Sequence, residues 1–277
     1  MRCLACGHGL DPVNAEYGTH PACDMKLQPV DEDEDPFVST LKHRIIDMVR
    51  WNSQQHPRKK QVRIGPSEIG TLCDRRIGYR LAEVPEHNTG FDPWPSIVGT
   101  AVHSWLETAV TSWMTAHGSS DWRTEETLVI EEFVEGHADL YSHEFRSVID
   151  YKTVGPDIMR KIKKDGAPLG YQIQAHVYGY GFEKIGLPVE RVCLAFMPRA
   201  GWLKDMYVWC ANYSQELAKT AIARLQMIAQ QILSVDTLTY PDRWKSIEAV
   251  PSNDCAWCPW YNPRHENDAD ADGCPGR

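Results

Sequence analysis

The chain of 277 residues has no uninterrupted apolar run of about 18 residues, so no membrane-spanning helix is expected. Met1–Leu10 lacks the apolar stretch of a secretory leader and already holds Cys3 and Cys6; a cytoplasmic location is the resulting expectation. No G-x-x-x-x-G-K-[ST] motif is present, so an ATP-driven motor activity would have to come from another chain. Internal repeats and long low-complexity tracts are also missing. Positive charge is in deficit: the formal net charge is −9. That argues at first against a nucleic-acid partner. The deficit is local, however. Residues 31–35 (DEDED) supply five negative charges, and Glu266, Asp268, Asp270 and Asp272 supply four more. Without these nine, 29 acidic residues face 29 basic ones. Two basic clusters stand out, Arg58, Lys59, Lys60 and Arg63, and Arg160, Lys161, Lys163 and Lys164; either could contact phosphates or simply be a solvated face.

What is abundant is cysteine, nine residues, an odd number that fits no simple disulfide framework. In a reducing compartment, clustered cysteines hold metal more often than they pair. Residues 1–30 read Cys3-x2-Cys6-x13-His20-x2-Cys23. Paired ligands at this spacing suit a closed tetrahedral zinc site, and so small a module has too little core to fold without metal. His8 is a rival to His20. A zinc module of this kind could grip DNA or a protein partner. Cys193 and Cys210 lie on apolar strands and read as small core residues.

The first 30 residues are followed by an acidic linker and helix over 31–65, with helical apolar spacing at Val38, Leu41, Ile45, Ile46 and Val49. The main domain is expected over 66–277. Ser67 is the expected N-cap of a helix reaching about Ala82. A second helix is expected from Ser96 or Gly99 to His117. Strands follow over 127–133, 136–142 and 145–151, helices over 157–164 and 170–184, strands over 191–197 and 206–211, and a helix over 214–235. The order predicts an α/β (α+β) domain, a mixed central sheet flanked by helices.

Chemistry concentrates on two strands. Gly136-His137-Ala138-Asp139 is followed, eleven residues after its aspartate, by Asp150-Tyr151-Lys152-Thr153. Alternation puts Asp150 and Lys152 on one face. Two carboxylates on neighbouring strands can share Mg²⁺ or Mn²⁺, and a lysine beside the ion can orient an attacking water or steady charge on a phosphate. By itself D-x-K is also a common edge-strand ion pair. His103 precedes the strands in Gly99-Thr-Ala-Val-His103. Gln174 and Tyr178 follow them on one helix face, with Gln172 as an alternative to Gln174. Glu107, Glu125 and Glu126 are within reach by sequence and read as surface charges.

Taken together, GTAVH, GHAD, IDYK and QAHVY resemble the ordered motifs of RecB-type PD-(D/E)XK nucleases over roughly residues 66–277. The resemblance implies a restriction-endonuclease-like core and a Mg²⁺- or Mn²⁺-dependent deoxyribonuclease, an exonuclease acting on DNA ends or single strands. It makes His103, Asp139, Asp150 and the carbonyl of Tyr151 metal ligands, Lys152 the catalytic lysine, and Gln174 and Tyr178 positioning residues. Cys73 upstream with Cys255, Cys258 and Cys274 downstream resembles the iron–sulfur nucleases, the CRISPR-associated RecB-like exonucleases and AddB, and implies a [4Fe–4S] cluster that pins the C-terminal tail. The fifteen residues between Cys258 and Cys274 depart from the short gap of that family. His265 is a substitute ligand, and zinc on the same thiolates is the alternative to the cluster. The partners implied are DNA and a helicase, recombination or CRISPR protein; the settings are repair, phage DNA processing or CRISPR adaptation. The rival reading is a non-catalytic DNA-binding or scaffold protein that keeps the fold.

Overall fold

The computed structural model describes residues 36–55, 63–263 and 273–276. The chain divides into two units, Met1–Lys59 and Lys60–Arg277. In the first, helix α1 spans Pro36–Gln55, as its apolar spacing requires. The expected zinc ligands Cys3, Cys6, His20 and Cys23, and the rival His8, lie outside the described residues, as does His265.

In the second unit a five-stranded mixed sheet has the order β1-β2-β3-β4-β5. Strands β1 (Trp122–Glu131), β2 (Val134–Ser142) and β3 (Ser147–Val154) pair antiparallel. Strand β4 (Arg191–Pro198) runs parallel to β3, and β5 (Tyr207–Asn212) closes the sheet antiparallel to β4. The apolar run from Val192 to Met197 is buried along its whole length. Continuous burial is what a central strand covered on both faces requires. Edge strand β5 instead alternates between half-buried and exposed residues.

The helices are α2 (Pro66–Ile69), α3 (Asp74–Leu81), α4 (Trp94–His117), α5 (Pro156–Asp165), α6 (Leu169–Lys184) and α7 (Gln215–Val235). Ser214 caps α7, its hydroxyl accepting from the Leu217 N–H at 3.2 Å. Ala218, Ile222, Leu225, Ile228 and Ile232 give α7 a buried stripe. That stripe belongs to the layer it forms with α6 and α3.

The single helix expected from Ser67 to Ala82 is two helices. Pro66 occupies the first helical position after Gly65, so Ser67 is not the cap. Gly70 then ends α2, where a Cβ would lie 2.3 Å from the Gly170 carbonyl oxygen. The chain stays extended at Cys73 and restarts as α3. Cys193 and Cys210, expected as two small core residues, are directly opposite across β4 and β5 and form a disulfide, with Cys210 exposed. Their approach follows from strand register, which composition alone does not specify.

The tail is held by more than its own apolar residues. Buried Arg75 donates to the carbonyls of Ile247 and Lys245 and to Cys274 Sγ, at 3.0, 3.3 and 3.3 Å. Trp260 is buried and donates through Nε1 to the Val84 carbonyl at 2.9 Å, and Tyr79 Oη donates to the Gly273 carbonyl at 3.2 Å.

Candidate active site

The β2–β3 ladder runs from the pair Ser142/Ser147 to Leu140/Ile149. Asp139 and Asp150 come next, where the pairing has ended. There the Asp139 side chain substitutes for a strand partner: its Oδ2 accepts from the Tyr151 N–H at 2.6 Å. Its Oδ1 meets His103 Nδ1, on α4, at 3.1 Å. The His103 ring stands edge-on to Tyr151, with centroids 5.9 Å apart. The hydrogen bond with Asp139 raises the pKa of His103.

Asp150 is only 2% exposed. Its Oδ1 accepts from Gln174 Nε2 at 2.9 Å, and the Gln174 Oε1 accepts from Lys152 Nζ at 3.0 Å. One amide on α6 therefore holds both members of the D-x-K pair. Lys152 Nζ is also 2.6 Å from Asp150 Oδ2. The ammonium is the counter-charge and hydrogen-bonding neighbour of this buried oxygen. Burial pushes the Asp150 carboxyl up to about 6, against the pull of the Lys152 ammonium. Beneath Lys152 lies the Tyr171 ring, 5.0 Å from Nζ to its centroid.

Gly136 of the GHAD motif is fixed by close approach. A Cβ there would lie 2.6 Å from Pro66 Cδ and 3.1 Å from Tyr178 Cε1. Buried Tyr178 thus packs under the strand that carries Asp139, and burial raises its pKa. Gln172, the alternative to Gln174, instead donates to the Ala167 carbonyl at 2.7 Å.

Glu125, read from sequence as a surface charge, belongs to the site. Thr124/Leu140 and Glu126/Ala138 are paired neighbours, which puts Glu125 across from Asp139. Among the described residues, His103, Glu125 and Asp139 form a group whose potential ligand atoms all lie within 4.8 Å of one another. Burial, then the nearby Asp139 and Glu107 carboxylates, raises the pKa of Glu125. Its backbone has φ +48°, in the left-handed region that a glutamate seldom adopts. Counting back across the β1–β2 hairpin from Glu131/Val134 reaches Glu126 instead, because the register shifts between Val129 and Glu131. The expected β1 began at Thr127, two residues too late. Glu126 points elsewhere, 3.3 Å from Arg123.

The close donor set is therefore an imidazole and two carboxylates, with Asp150, expected as a ligand, beside this group and not within it. Burial disfavours the ionised form of both Glu125 and Asp150. Hard oxygen ligands with one imidazole fit a divalent cation such as Mg²⁺ or Mn²⁺.

The four remaining cysteines gather at the tail. Cys73 is the residue before α3, Cys255 lies within the 3-10 turn Asn253–Trp257 and Cys258 directly follows it, and Cys274 is buried beside Arg75. Burial raises the pKa of the Cys258 thiol, with Cys73 and Cys274 as interacting neighbours. Backbone N–H groups of Ser252 and Gly276 donate to Cys255 Sγ and Cys274 Sγ, each at 3.4 Å.

No family model and no curated protein matches this chain. Among solved structures it is similar to a phage-related exonuclease from Haemophilus somnus 129PT, at 16% identity and TM-score 0.39 over 58% of this chain and 81% of that one. It is also similar to an alkaline exonuclease (LHK-Exo) from Laribacter hongkongensis, at 8% identity and TM-score 0.42 over 62% of this chain and 88% of that one. At these scores the likeness is loose, and function has to be read from the site's own residues.

Proposed function

We propose that residues 66–277 form a metal-dependent DNA nuclease of the PD-(D/E)XK type, an exonuclease acting on DNA ends or single strands. The observation that carries this reading is the convergence of His103, Asp139, Asp150 and Lys152 from three elements, with Gln174 bridging the last two. A bare surface ion pair would need neither the amide bridge nor the burial.

His103, Asp139 and Glu125, with Asp150 and the Tyr151 carbonyl beside them, would hold Mg²⁺ or Mn²⁺, which when bound supplies Lewis acidity toward a phosphate oxygen and lowers the pKa of a bound water. The chain's own residues do the rest. Gln174 fixes the direction of Lys152 Nζ by accepting a hydrogen bond from it, Asp150 Oδ2 faces a second N–H, and the third is left for a water or a non-bridging phosphate oxygen. The ammonium then offsets charge that develops on the phosphate. Asp139, anchored by the Tyr151 N–H, keeps β2 and β3 in register where their ladder has stopped. Tyr178, wedged under Gly136, sets the height of that strand.

Cys73, Cys255, Cys258 and Cys274 would hold a [4Fe–4S] cluster that ties the tail to α3. Zinc on the same four thiolates is the alternative. Cys3, Cys6, His20 and Cys23 would hold zinc in a separate module over residues 1–30.

The test uses the full-length protein, purified anaerobically, with end-labelled single- and double-stranded DNA, Mn²⁺ and an EDTA control. Asp150→Ala and Lys152→Ala should each lower the rate by about 10³-fold or more. Near-normal cleavage by rigorously purified Lys152→Ala would overturn the reading.

A further inference from the structure

The loop between β4 and β5 holds two large apolar side chains in water. Trp202 is 72% exposed and Leu203 71%. The loop is nonetheless a built turn. Asp205 Oδ2 accepts from the Trp202 N–H at 3.2 Å, and the Asp205 N–H returns to the Trp202 carbonyl at 2.9 Å. Gly201 supplies φ +120°, a conformation closed to other residues without strain. From α5, Lys163 Nζ donates to the Asp205 carbonyl at 3.4 Å. A tryptophan presented this way on a fixed turn is suited to meet a flat apolar partner.

Its neighbours say which partner. Helix α5 brings Arg160, Lys161, Lys163 and Lys164, and the loop itself brings Arg199 and Lys204. Against these stand Asp157, which pairs with Arg160, and Asp205, which caps the turn. Asp165 is the remaining carboxylate of these two segments. In a chain of net charge −9 these two segments carry six cations against three carboxylates, and the contact of Lys163 with Asp205 brings the helix to the loop. Flat apolar surfaces strung on a polyanion are the chemistry of unstacked nucleic-acid bases.

The loop also lies close to the candidate active site. In the parallel β3–β4 pair Lys152 is level with Phe196. The loop begins three residues later, ~10 Å further at about 3.3 Å per residue. There the Arg199 N–H donates to the Val154 carbonyl at 2.8 Å. A line of rings joins the two places. Lys152 lies over Tyr171, Tyr171 meets Phe196 at 6.4 Å, Phe196 stacks on Tyr207 at 6.3 Å, and Lys163 lies over Tyr207.

Building on the nuclease reading, we propose that Trp202 is a stacking platform for a base of single-stranded DNA entering the active site, with the α5 and loop cations on the flanking phosphates. Trp202 is a positioning residue, outside the group of His103, Glu125 and Asp139.

The experiment uses full-length protein and single-stranded oligonucleotides carrying 2-aminopurine at successive positions, in EDTA so that nothing is cut. Wild type should alter 2-aminopurine emission at one or two adjacent positions. Trp202→Ala should lose that local signal and weaken binding by about ten-fold or more, and Trp202→Phe should restore most of both. With Mn²⁺, Trp202→Ala should raise KM and leave kcat nearly unchanged. If wild type binds and cleaves DNA while Trp202→Ala matches it in emission and KM, the platform is wrong and the nuclease reading stands. If wild type neither binds nor cleaves, both fall, starting with the nuclease reading. If Trp202→Ala abolishes binding to vesicles of anionic phospholipid and leaves DNA binding untouched, the loop is a membrane contact and the proposal is overturned.

Discussion

Asp150→Asn should make the metal-free protein more stable while removing its response to metal. A carboxyl that ionises near pH 6 rather than at 3.8 is disfavoured as an anion by roughly 3 kcal/mol, at 1.36 kcal/mol per pH unit. The sign follows from the raised value. Between about pH 4 and 6 the folded protein holds a proton that the unfolded chain has released, so wild type loses stability as pH rises through that window. Asparagine never ionises and escapes the loss. The Lys152 ammonium loses its counter-charge in the variant, which trims the gain. The raised pKa of His103 contributes stability below about pH 6.5 that also fades as pH rises, but it does so in both proteins and largely cancels. The two metal-free proteins should therefore melt together near pH 3.5 and diverge by up to about 6–12 °C at pH 7.5, taking 2–4 °C per kcal/mol. Mn²⁺ should raise the melting temperature of wild type at pH 7.5, with the increment fading below pH 6, and should leave the variant unmoved. Differential scanning calorimetry in EDTA and in Mn²⁺ across this range reads both effects. A metal-free variant no more stable than wild type at pH 7.5, or equal Mn²⁺ increments in the two proteins, would refute the reasoning.

Glu125→Gln should weaken Mn²⁺ binding by about ten-fold or more, read by electron paramagnetic resonance of free Mn²⁺ during titration; an unchanged affinity would return Glu125 to the surface charges. Protein made anaerobically should be brown and carry about four iron atoms. Replacing any one of Cys73, Cys255, Cys258 or Cys274 should bleach it, whereas Cys193→Ala and Cys210→Ala should not; zinc on those four thiolates in colourless, active protein would keep the ligands and change the metal. A version starting near Phe37 should lose one zinc per chain and keep its folded nuclease unit; equal zinc in both versions by elemental analysis would remove the N-terminal site.

Much of the sheet is legible in the sequence because its signals are local. The run from Val192 to Met197 has one physical solution, a strand covered on both faces, and β4 is that strand. The apolar stripe of α7 and its Ser214 cap lie within one segment, and the expected span of 214–235 differs from Gln215–Val235 by one residue. What failed needed distant partners. The break between α2 and α3 turns on Gly70 meeting Gly170, a contact across 100 residues that no local propensity encodes. The same holds for Cys193 and Cys210, whose pairing depends on the register of two strands.

At the candidate site the same division separates what was visible from what was missed. Asp150 and Lys152 are two residues apart on a strand, so alternation alone puts them on one face. Gln174 is visible as one of two glutamines on α6, and only the fold separates it from Gln172, whose amide is spent on Ala167. Glu125 fits neither kind of rule. Regular alternation would have assigned it a face, but its φ of +48° breaks the alternation at that one residue. A strained glutamate costs of order 1–3 kcal/mol and persists only where its surroundings hold it. Its surroundings include Asp139, whose charge, together with burial, makes it harder still to ionise. Strain and repulsion at one residue are poor grounds for a surface charge and good grounds for a carboxylate set to receive a cation. This is why Glu125, more than the better-marked D-x-K pair, discriminates between a metal centre and a buried ion pair.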